Sequence, residues 1–174
     1  MALIDAKKGR CSWGPEEDDI SIIPNYDQCI KNDAINLLLD CNGLYYSRDT
    51  NIRRSTNNSF YYVNNYLSIN KKRTSGWFVP SVGQWVLFLE NLCGVKVEIR
   101  GSNYCHIYFD MNKAKTFLKK YNIACDEDYE CYWTSNEATD IHAHMIVFST
   151  TQEEKVYSVN KGTTRMRTRG IAAF

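Results

Sequence analysis

The fold is decided by the stretch Trp77-Phe78-Val79-Pro80-Ser81-Val82-Gly83-Gln84-Trp85. Its first three residues predict a short apolar strand, which Pro80 ends because proline has no backbone donor. Ser81 and Gln84 have the spacing of a capping box, in which two side chains satisfy free backbone amides at a helix start. Gly94 is placed to end that helix. The helix would carry four apolar residues on one face: Trp85, Phe88, Leu89 and Leu92.

Patterns elsewhere in the chain predict an α+β protein. The further helices are expected at residues 27–39, around residues 60–67 and in the segment that Asp110 would cap. Residues 48–58 are polar and predict a surface loop. The strands are expected at residues 77–79, 95–99, 143–148, 155–159 and 166–173, with a hairpin turn at 150–152. Two or three helices ahead of several antiparallel strands are typical of the α+β class.

Composition restricts the class of protein. The chain has 21 Lys and Arg against 20 Asp and Glu, so its net charge of +1 argues against binding of a polyanion such as a nucleic acid. No apolar run approaches the roughly 20 residues that cross a bilayer, and residues 1–10 lack the apolar centre of a secretion signal. The length fits one domain over residues 1–174. We therefore expect a single domain without a membrane span.

Residue types that carry catalysis or bind metals are present, but their spacing matches no common signature. The seven cysteines contain no CxxC pair, and small buried hydrophobes with idle thiols are the favoured interpretation. Asp140, His142 and His144 would share one face of a strand, but exposed polar residues are favoured over a metal site. The chain has no nucleophile elbow, zinc-protease motif or glycine-rich phosphate loop. We expect no enzymatic activity, no cofactor and no metal.

Three arginines alternate near the carboxyl end, so that a strand would carry Arg165, Arg167 and Arg169 on one face. Such a patch suits a phosphate or carboxylate group. The alternative is that the arginines stack on tyrosines and pair with acidic residues, the candidates being Glu137, Glu153 and Glu154. We favour the second interpretation.

Several stretches, taken in order, resemble the Fibrobacter major paralogous domain family. The family's W-x-L-P-S-x-G-Q/E-W segment is matched by residues 77–85, and its Y-W-S-S-T-E segment by residues 132–137, where Asn136 replaces the usual Thr. Its N-K turn is matched by Asn160-Lys161, and its W-G-P corner by residues 12–15. The resemblance extends through nearly the whole chain.

The resemblance implies a C-type lectin-like fold, with a mixed, mostly antiparallel sheet, two or three helices and neighbouring termini. It also implies an exported protein of the bacterial outer surface, a pilus tip or a phage tail, although this chain shows no export signal. Related folds serve as variable ligand-binding proteins, which retroelements diversify by altering adenines in the carboxy-terminal segment. The calcium lectins' E-P-N and W-N-D segments are absent, as is the R-G-G-S-W segment of the formylglycine-generating oxidases.

Each residue from 138 to 142 can be encoded by a codon that differs from the asparagine codon AAC only in the first two bases. These residues therefore fit such diversification. We expect a non-enzymatic ligand-binding or adhesion domain whose carboxy-terminal face binds a protein or glycan on another cell or molecule. The expected ligand-binding residues are Asn136, Ala138, Thr139, Asp140, His142, His144, Tyr157, Ser158, Asn160, Thr163 and Arg165. The alternative is a structural module of a larger bacterial surface or pilus protein, in which the same face packs against a neighbouring domain.

Overall fold

The computed structural model describes residues 4–6, 9–15, 20–49, 51–52, 56–66, 74–102, 105–121, 123, 129–153 and 155–172. The strands in these ranges are β1 Ile4–Asp5, β2 Val97–Arg100, β3 His106–Phe109, β4 Tyr129–Glu137, β5 His142–Ser149, β6 Val156–Asn160 and β7 Arg169–Gly170. The helices are α1 Lys31–Leu39, α2 Gly43–Tyr46, α3 Ser59–Asn64, α4 Val82–Asn91 and α5 Met111–Lys120. Helices combined with antiparallel sheets confirm the α+β class.

Strand β4 is the centre of the fold. One edge pairs antiparallel with β5, which in turn pairs antiparallel with β6. Along the other edge, successive residues of β4 form backbone hydrogen bonds with Arg167, Pro80 and Tyr26. These three residues come from distant parts of the chain. Every residue of β4 except Tyr129 is buried. This strand was not predicted, because its buried polar residues remove the alternation of apolar and polar side chains that marks a half-exposed strand.

The capping box that begins α4 is confirmed. Ser81 Oγ accepts a hydrogen bond from the Gln84 amide at 3.3 Å, and Gln84 Oε1 accepts one from the Ser81 amide at 3.0 Å. The predicted strand at 77–79 is wrong in its extent, since only Phe78 pairs with another strand segment, in an isolated bridge with Ile171. The next amide, that of Val79, instead donates to a side chain, Ser47 Oγ, at 3.0 Å.

The other two long helices follow the sequence pattern with one shift. Helix α1 begins at Lys31 rather than at Asp27, because Asp27 forms a turn with the residues that follow it. Its side chain accepts from the Cys29 amide at 2.9 Å, and its carbonyl accepts from the Ile30 amide at 3.0 Å. Helix α5 is capped as predicted, since Asp110 Oδ1 accepts from two backbone amides of its first turn.

The shorter predicted elements are confirmed in part. The helix expected around residues 60–67 is α3, which ends at Asn64 and is capped by Asn58. The edge strand expected at 95–99 is β2, shifted by two residues at its start. The loop expected at 48–58 is helical at residues 51–52, and Ile52 is fully buried because it packs into the core; residues 50 and 53–55 lie outside the described residues.

The carboxy-terminal segment is not the continuous strand expected at 166–173. Strand β7 has only two residues and pairs with β1, where Ile4 faces Gly170. The residues around it change partner repeatedly, as Met166 pairs with Cys11, Arg167 with Tyr132 and Ile171 with Phe78. The segment therefore joins several parts of the molecule instead of adding one strand to a sheet; residues 173–174 lie outside the described residues.

Two apolar clusters contain most of the core. The first surrounds Trp85, whose ring centroid lies 5.3 Å from that of Phe148 and 5.9 Å from that of Tyr132. The second contains Trp13 and Trp133. These three tryptophans are at most 1% exposed and belong to the scaffold. Among the described residues, no helix is both long and apolar enough to cross a membrane.

Candidate functional site

The last four residues of β4, Thr134-Ser135-Asn136-Glu137, are polar and completely buried. We call them the polar end of β4. The carbonyl of Thr134 accepts from Trp13 Nε1 at 2.7 Å, and its hydroxyl donates to the carbonyl of His144 at 2.9 Å. The amide of Ser135 donates to the carbonyl of Pro80 at 2.9 Å. Buried polar groups need such partners, so the polar end of β4 ties distant segments together.

Glu137 and Lys161 form an ion pair in the interior. Lys161 Nζ lies 2.6 Å from Glu137 Oε1, and neither side chain is exposed to solvent. The second carboxylate oxygen accepts from the Ile20 amide at 3.1 Å, and the ammonium group lies 5.1 Å from the ring centroid of Trp13. A buried charge is tolerated only when it is paired and hydrogen-bonded. The pair therefore fixes the turn that contains Lys161 to the end of β4.

Asn136 is part of the scaffold, which corrects the expectation that it contacts a ligand. Its side chain is completely buried, because Nδ2 donates to Asp40 Oδ2 at 2.7 Å and Oδ1 accepts from the Val82 amide at 2.7 Å. Asp40 also accepts from the Tyr46 hydroxyl at 2.8 Å. Burial and this hydrogen bond raise the pKa of Tyr46 well above its ordinary value. Asn136 thus connects the end of α1, the start of α4 and β4.

His144 is likewise internal, which corrects its expected place on the binding face. Its ring is fully buried, and Nε2 donates to the carbonyl of Tyr26 at 2.8 Å. Burial lowers the pKa of His144 to about 4, against the opposing influence of the Tyr26 carbonyl and Asp27. The imidazole is therefore neutral at physiological pH and holds the segment around Tyr26 on the sheet.

The set Asp140, His142 and His144 does not come together as a metal site. His142 Nδ1 lies 3.0 Å from Thr139 Oγ1, whereas His144 is bonded to a backbone carbonyl. Within the described ranges, no group of three or more His, Cys, Asp or Glu side chains is arranged to hold a metal ion.

The remaining predicted residues, apart from Tyr157 and Ser158, lie at one end of the sheet, in two turns at residues 138–142 and 160–165. We call this the loop-end surface. The amide of Lys161 donates to the carbonyl of Ile141 at 3.0 Å and joins the two turns. Thr139 Oγ1 accepts from the His142 amide at 3.1 Å, and Asn160 Oδ1 accepts from the Thr163 amide at 2.8 Å, so each turn is braced by its own side chain. The exposed residues of the loop-end surface are Thr139, Asp140, Ile141, Thr163 and Arg165.

Tyr157 and Ser158 lie away from the exposed part of this surface. Tyr157 faces Met145 in the register of β6 with β5 and packs against the second apolar cluster. Its hydroxyl accepts from Gln152 Nε2 at 2.8 Å, in the connection between these strands. Ser158 faces the buried His144. Neighbouring residues of a strand point to opposite sides. The prediction that Tyr157 and Ser158 share one binding face is therefore wrong.

The three arginines have three different environments. Arg169 is buried, with Cζ 4.5 Å from the ring centroid of Tyr132, as expected for stacking on a tyrosine. Arg167 forms an ion pair with Glu130, in which one Nη atom lies 3.6 Å from Oε1. Glu130 was not among the predicted partners. Arg165 donates to the carbonyls of its own turn and is exposed. The single phosphate-binding patch is therefore not formed, because the segment does not run as one strand.

Six of the seven cysteines fall in the described residues. Four are buried, as expected for small hydrophobic residues: Cys11, Cys93, Cys105 and Cys131. Burial raises the pKa of Cys93 to about 11 and raises that of Cys41 and Cys131. A thiol with a raised pKa is protonated at neutral pH and is a poor nucleophile.

A cavity of about 470 Å³ lies elsewhere on the molecule and has no residue in common with the loop-end surface. It is formed by α2, α3 and the segment that leads into the capped helix α4. Its lining consists of Leu44, Ser47, Arg48, Tyr61, Asn64, Asn65, Thr74, Ser75, Gly76, Trp77 and Phe78. No motif predicted it, because its residues come from three separate segments of the chain that are brought together only by folding.

Comparison with protein-family models, curated proteins and solved structures finds no match to this chain. The site is therefore described from its own geometry: a surface of two braced turns, supported from below by the polar end of β4.

Replacing Lys161 by Met tests the support beneath the loop-end surface. The change leaves the Glu137 carboxylate buried without its cation, and removal of one partner of a buried pair costs about 3–5 kcal/mol of stability. Urea denaturation measures the loss. The matched control is Lys96→Met, which removes a cation that is 81% exposed beside Glu98, and we expect little change there. Equal effects of the two substitutions would contradict the structural role of the pair.

Acidification tests the burial of His144. Its pKa in the folded state, about 4, lies below the value of about 6.5 expected for the unfolded chain. Stability is therefore complete above pH 6.5 and falls as the pH decreases toward 4, by up to about 3 kcal/mol from this residue. His144→Gln removes the titrating group, so its free energy of unfolding should decrease less between pH 7 and pH 4 than that of the wild type.

The control for this measurement is His142→Gln, which changes the half-buried histidine of the same strand. This variant replaces the same residue type at a position that is not fully buried, so the difference between the two variants isolates the effect of burying the ring. A wild-type slope in the His144→Gln variant would show that His144 does not titrate as its burial requires.

Proposed function

We propose that this chain is a non-enzymatic ligand-binding or adhesion domain that presents the loop-end surface to a protein or glycan on another cell or molecule. The observation that carries the proposal is the placement of exposed side chains on two braced turns, directly above a buried ion pair. The amide of Lys161 joins the two turns, while its side chain is paired with Glu137 in the interior. Such a construction allows the exposed residues to differ without disturbing the support.

The contacts of the buried scaffold support a C-type lectin-like fold as part of this proposal. Three separate motifs of the family resemblance meet in the interior. Trp13 of the W-G-P corner donates to Thr134 of the Y-W-T-S-N-E segment and lies beneath Lys161 of the N-K turn. The pairing of β1 with β7 is the arrangement expected when the first and last strands of a domain are neighbours.

Recognition at this surface would rest on shape and hydrogen bonding, without chemistry on the ligand. The exposed set contains one acidic and one basic side chain, Asp140 and Arg165, two threonines, and Ile141 with 41% of its surface exposed. Turns that are already fixed by their own hydrogen bonds lose little conformational entropy when a partner binds. Asn136 and His144 are buried and Tyr157 packs against the second apolar cluster, so these three residues are left out of the proposed contact surface.

The location that fits this function is the bacterial outer surface or a phage tail, as the family resemblance implies. The chain would form one part of a larger surface protein or assembly. The alternative, a structural module without a ligand of its own, uses the same surface to pack on a neighbouring domain. Binding measurements on the isolated chain separate these two functions.

Binding is tested with the labelled chain on arrays of immobilised glycans and of exported bacterial proteins. The triple variant Asp140→Ala, Thr163→Ala and Arg165→Ala removes exposed polar groups of the loop-end surface. We expect it to bind the strongest array partner at least tenfold more weakly than the wild type while its melting temperature is kept, because two or more hydrogen bonds are lost and about 1.4 kcal/mol corresponds to tenfold.

The matched control carries Glu153→Ala, Thr116→Ala and Arg100→Ala, which are also exposed. It should bind like the wild type. Failure of the wild-type chain to bind any partner on either array would favour the structural module. Equal binding by the triple variant and its control would overturn the assignment of the surface.

Diversification by a retroelement is a separable part of the proposal, and the coding region tests it. We expect a near-repeat of the 3′ coding region whose differences fall at adenines of the repeat. They should change the codons of residues 138–142, 160 and 162–165 and leave those of Asn136, Glu137, His144 and Lys161 unchanged, because these four side chains are buried. Absence of a near-repeat would remove the retroelement and leave ligand binding to be decided by the arrays.

A further inference from the structure

The cavity bordered by α2, α3 and residues 74–78 has the features of a built binding site. Its volume, about 470 Å³, falls in the range of about 300–1,000 Å³ that is usual for small-ligand pockets. Its lining combines three aromatic side chains, those of Tyr61, Trp77 and Phe78, with amide, hydroxyl and guanidinium groups.

Aromatic surface is supplied by Trp77 and Tyr61, both half-buried. Each ring is held by a neighbouring ring in an edge contact. The centroid of Trp77 lies 6.0 Å from that of Tyr66, at an interplanar angle of 82°, and the centroid of Tyr61 lies 5.5 Å from that of Tyr62, at 81°. Edge-to-face pairs are a favourable geometry for aromatic rings, so Trp77 and Tyr61 are fixed before a ligand arrives.

Planar polar groups border the same space. Asn64 donates through Nδ2 to the carbonyl of Ser47 at 3.1 Å, and Asn65 donates through Nδ2 to the carbonyl of Tyr61 at 2.8 Å. Each bond orients an amide whose Oδ1 atom remains an acceptor. Arg48 donates through one Nη atom to the carbonyl of Ser75 at 3.2 Å, and its guanidinium carries further donors.

The charge of the lining restricts the ligand further. Arg48 is the one formally charged residue among the described lining residues, which include no carboxylate, histidine or cysteine. A purely apolar ligand would cover the Oδ1 acceptors of the amides and the further donors of the guanidinium group without offering them hydrogen bonds, which is unfavourable. A calcium-bridged ligand would need carboxylate oxygens, which this lining does not contribute.

We propose that this cavity is a saccharide-binding site that works without calcium. A sugar ring has an apolar C–H face, which suits the rings of Trp77 and Tyr61, and an edge of hydroxyl groups, which suits the donors and acceptors of Asn64, Asn65 and Arg48. The proposal is independent of the loop-end surface. The domain would then have two separate binding sites. One is the cavity, and the other is the loop-end surface with its exposed turns.

The test uses the intact chain on an array of neutral and acidic oligosaccharides, followed by calorimetric titration with the best-bound oligosaccharide in the presence of a chelator. Arg48→Ala and Asn65→Ala each remove a polar group from the cavity. We expect each to weaken binding about tenfold, the usual consequence of losing one hydrogen bond to a charged or well-oriented group. Trp77→Phe should weaken it as well, because it reduces the aromatic area.

The controls match the chemistry of these changes. Asn91, like Asn65, is exposed and donates through Nδ2 to the carbonyl four residues earlier, and Arg100, like Arg48, is exposed. Asn91→Ala, Arg100→Ala and the triple variant of the loop-end surface should bind the oligosaccharide like the wild type. Melting temperatures establish folding, and if Asn65→Ala is unfolded, Arg48→Ala alone decides.

Three results would overturn the proposal: no oligosaccharide bound by the wild type, unchanged affinity in the folded Arg48→Ala variant, or loss of binding with the chelator. Loss of oligosaccharide binding in the loop-end variant alone would move the sugar site to that surface. The proposed function is tested separately, by comparing the loop-end triple variant with its own control, so failure of one proposal can be told apart from failure of the other.

Discussion

The fold depends on the burial of four polar residues at the end of β4. Their side chains and backbone bond to the W-G-P corner, to the segment around Ile20, to Asp40 at the end of α1, to the start of α4 and to Lys161. Because a buried polar group without a partner is costly, burial of this strand end requires contacts with all of these segments. The end of β4 therefore acts as a common anchor for parts of the chain that share no secondary structure.

The buried scaffold adjoins both candidate binding surfaces. The turn at residues 160–165 is held from below by Lys161, and its outward side chains are not needed for that attachment. Ser47 borders the cavity, and its side chain bonds the Val79 amide just before the capped helix α4. Each surface thus adjoins the buried scaffold, and the residues proposed to contact a ligand are exposed or half-buried.

Local signals were sufficient where a few neighbouring residues decide the structure. The capping box of Ser81 and Gln84 and the cap of Asp110 were predicted correctly, because these bonds join residues within one helical turn. The candidate site was predicted less well. Asn136 and His144 have the same polar character as the exposed residues near them, and only their bonds to Asp40 and Tyr26, about 100 positions away in the chain, show that they are internal.

The sequence by itself determined the α+β class, the capped helices, the near-neutral charge and the region in which the loop-end surface lies. Tertiary structure alone decided that β4 is the central strand, that Tyr157 packs against the second apolar cluster and that three separate segments line a cavity. The physical reason is that helix caps and turns are made by neighbours in the chain. Burial of a polar side chain is decided by partners that folding brings from far away, and such partners leave no local pattern.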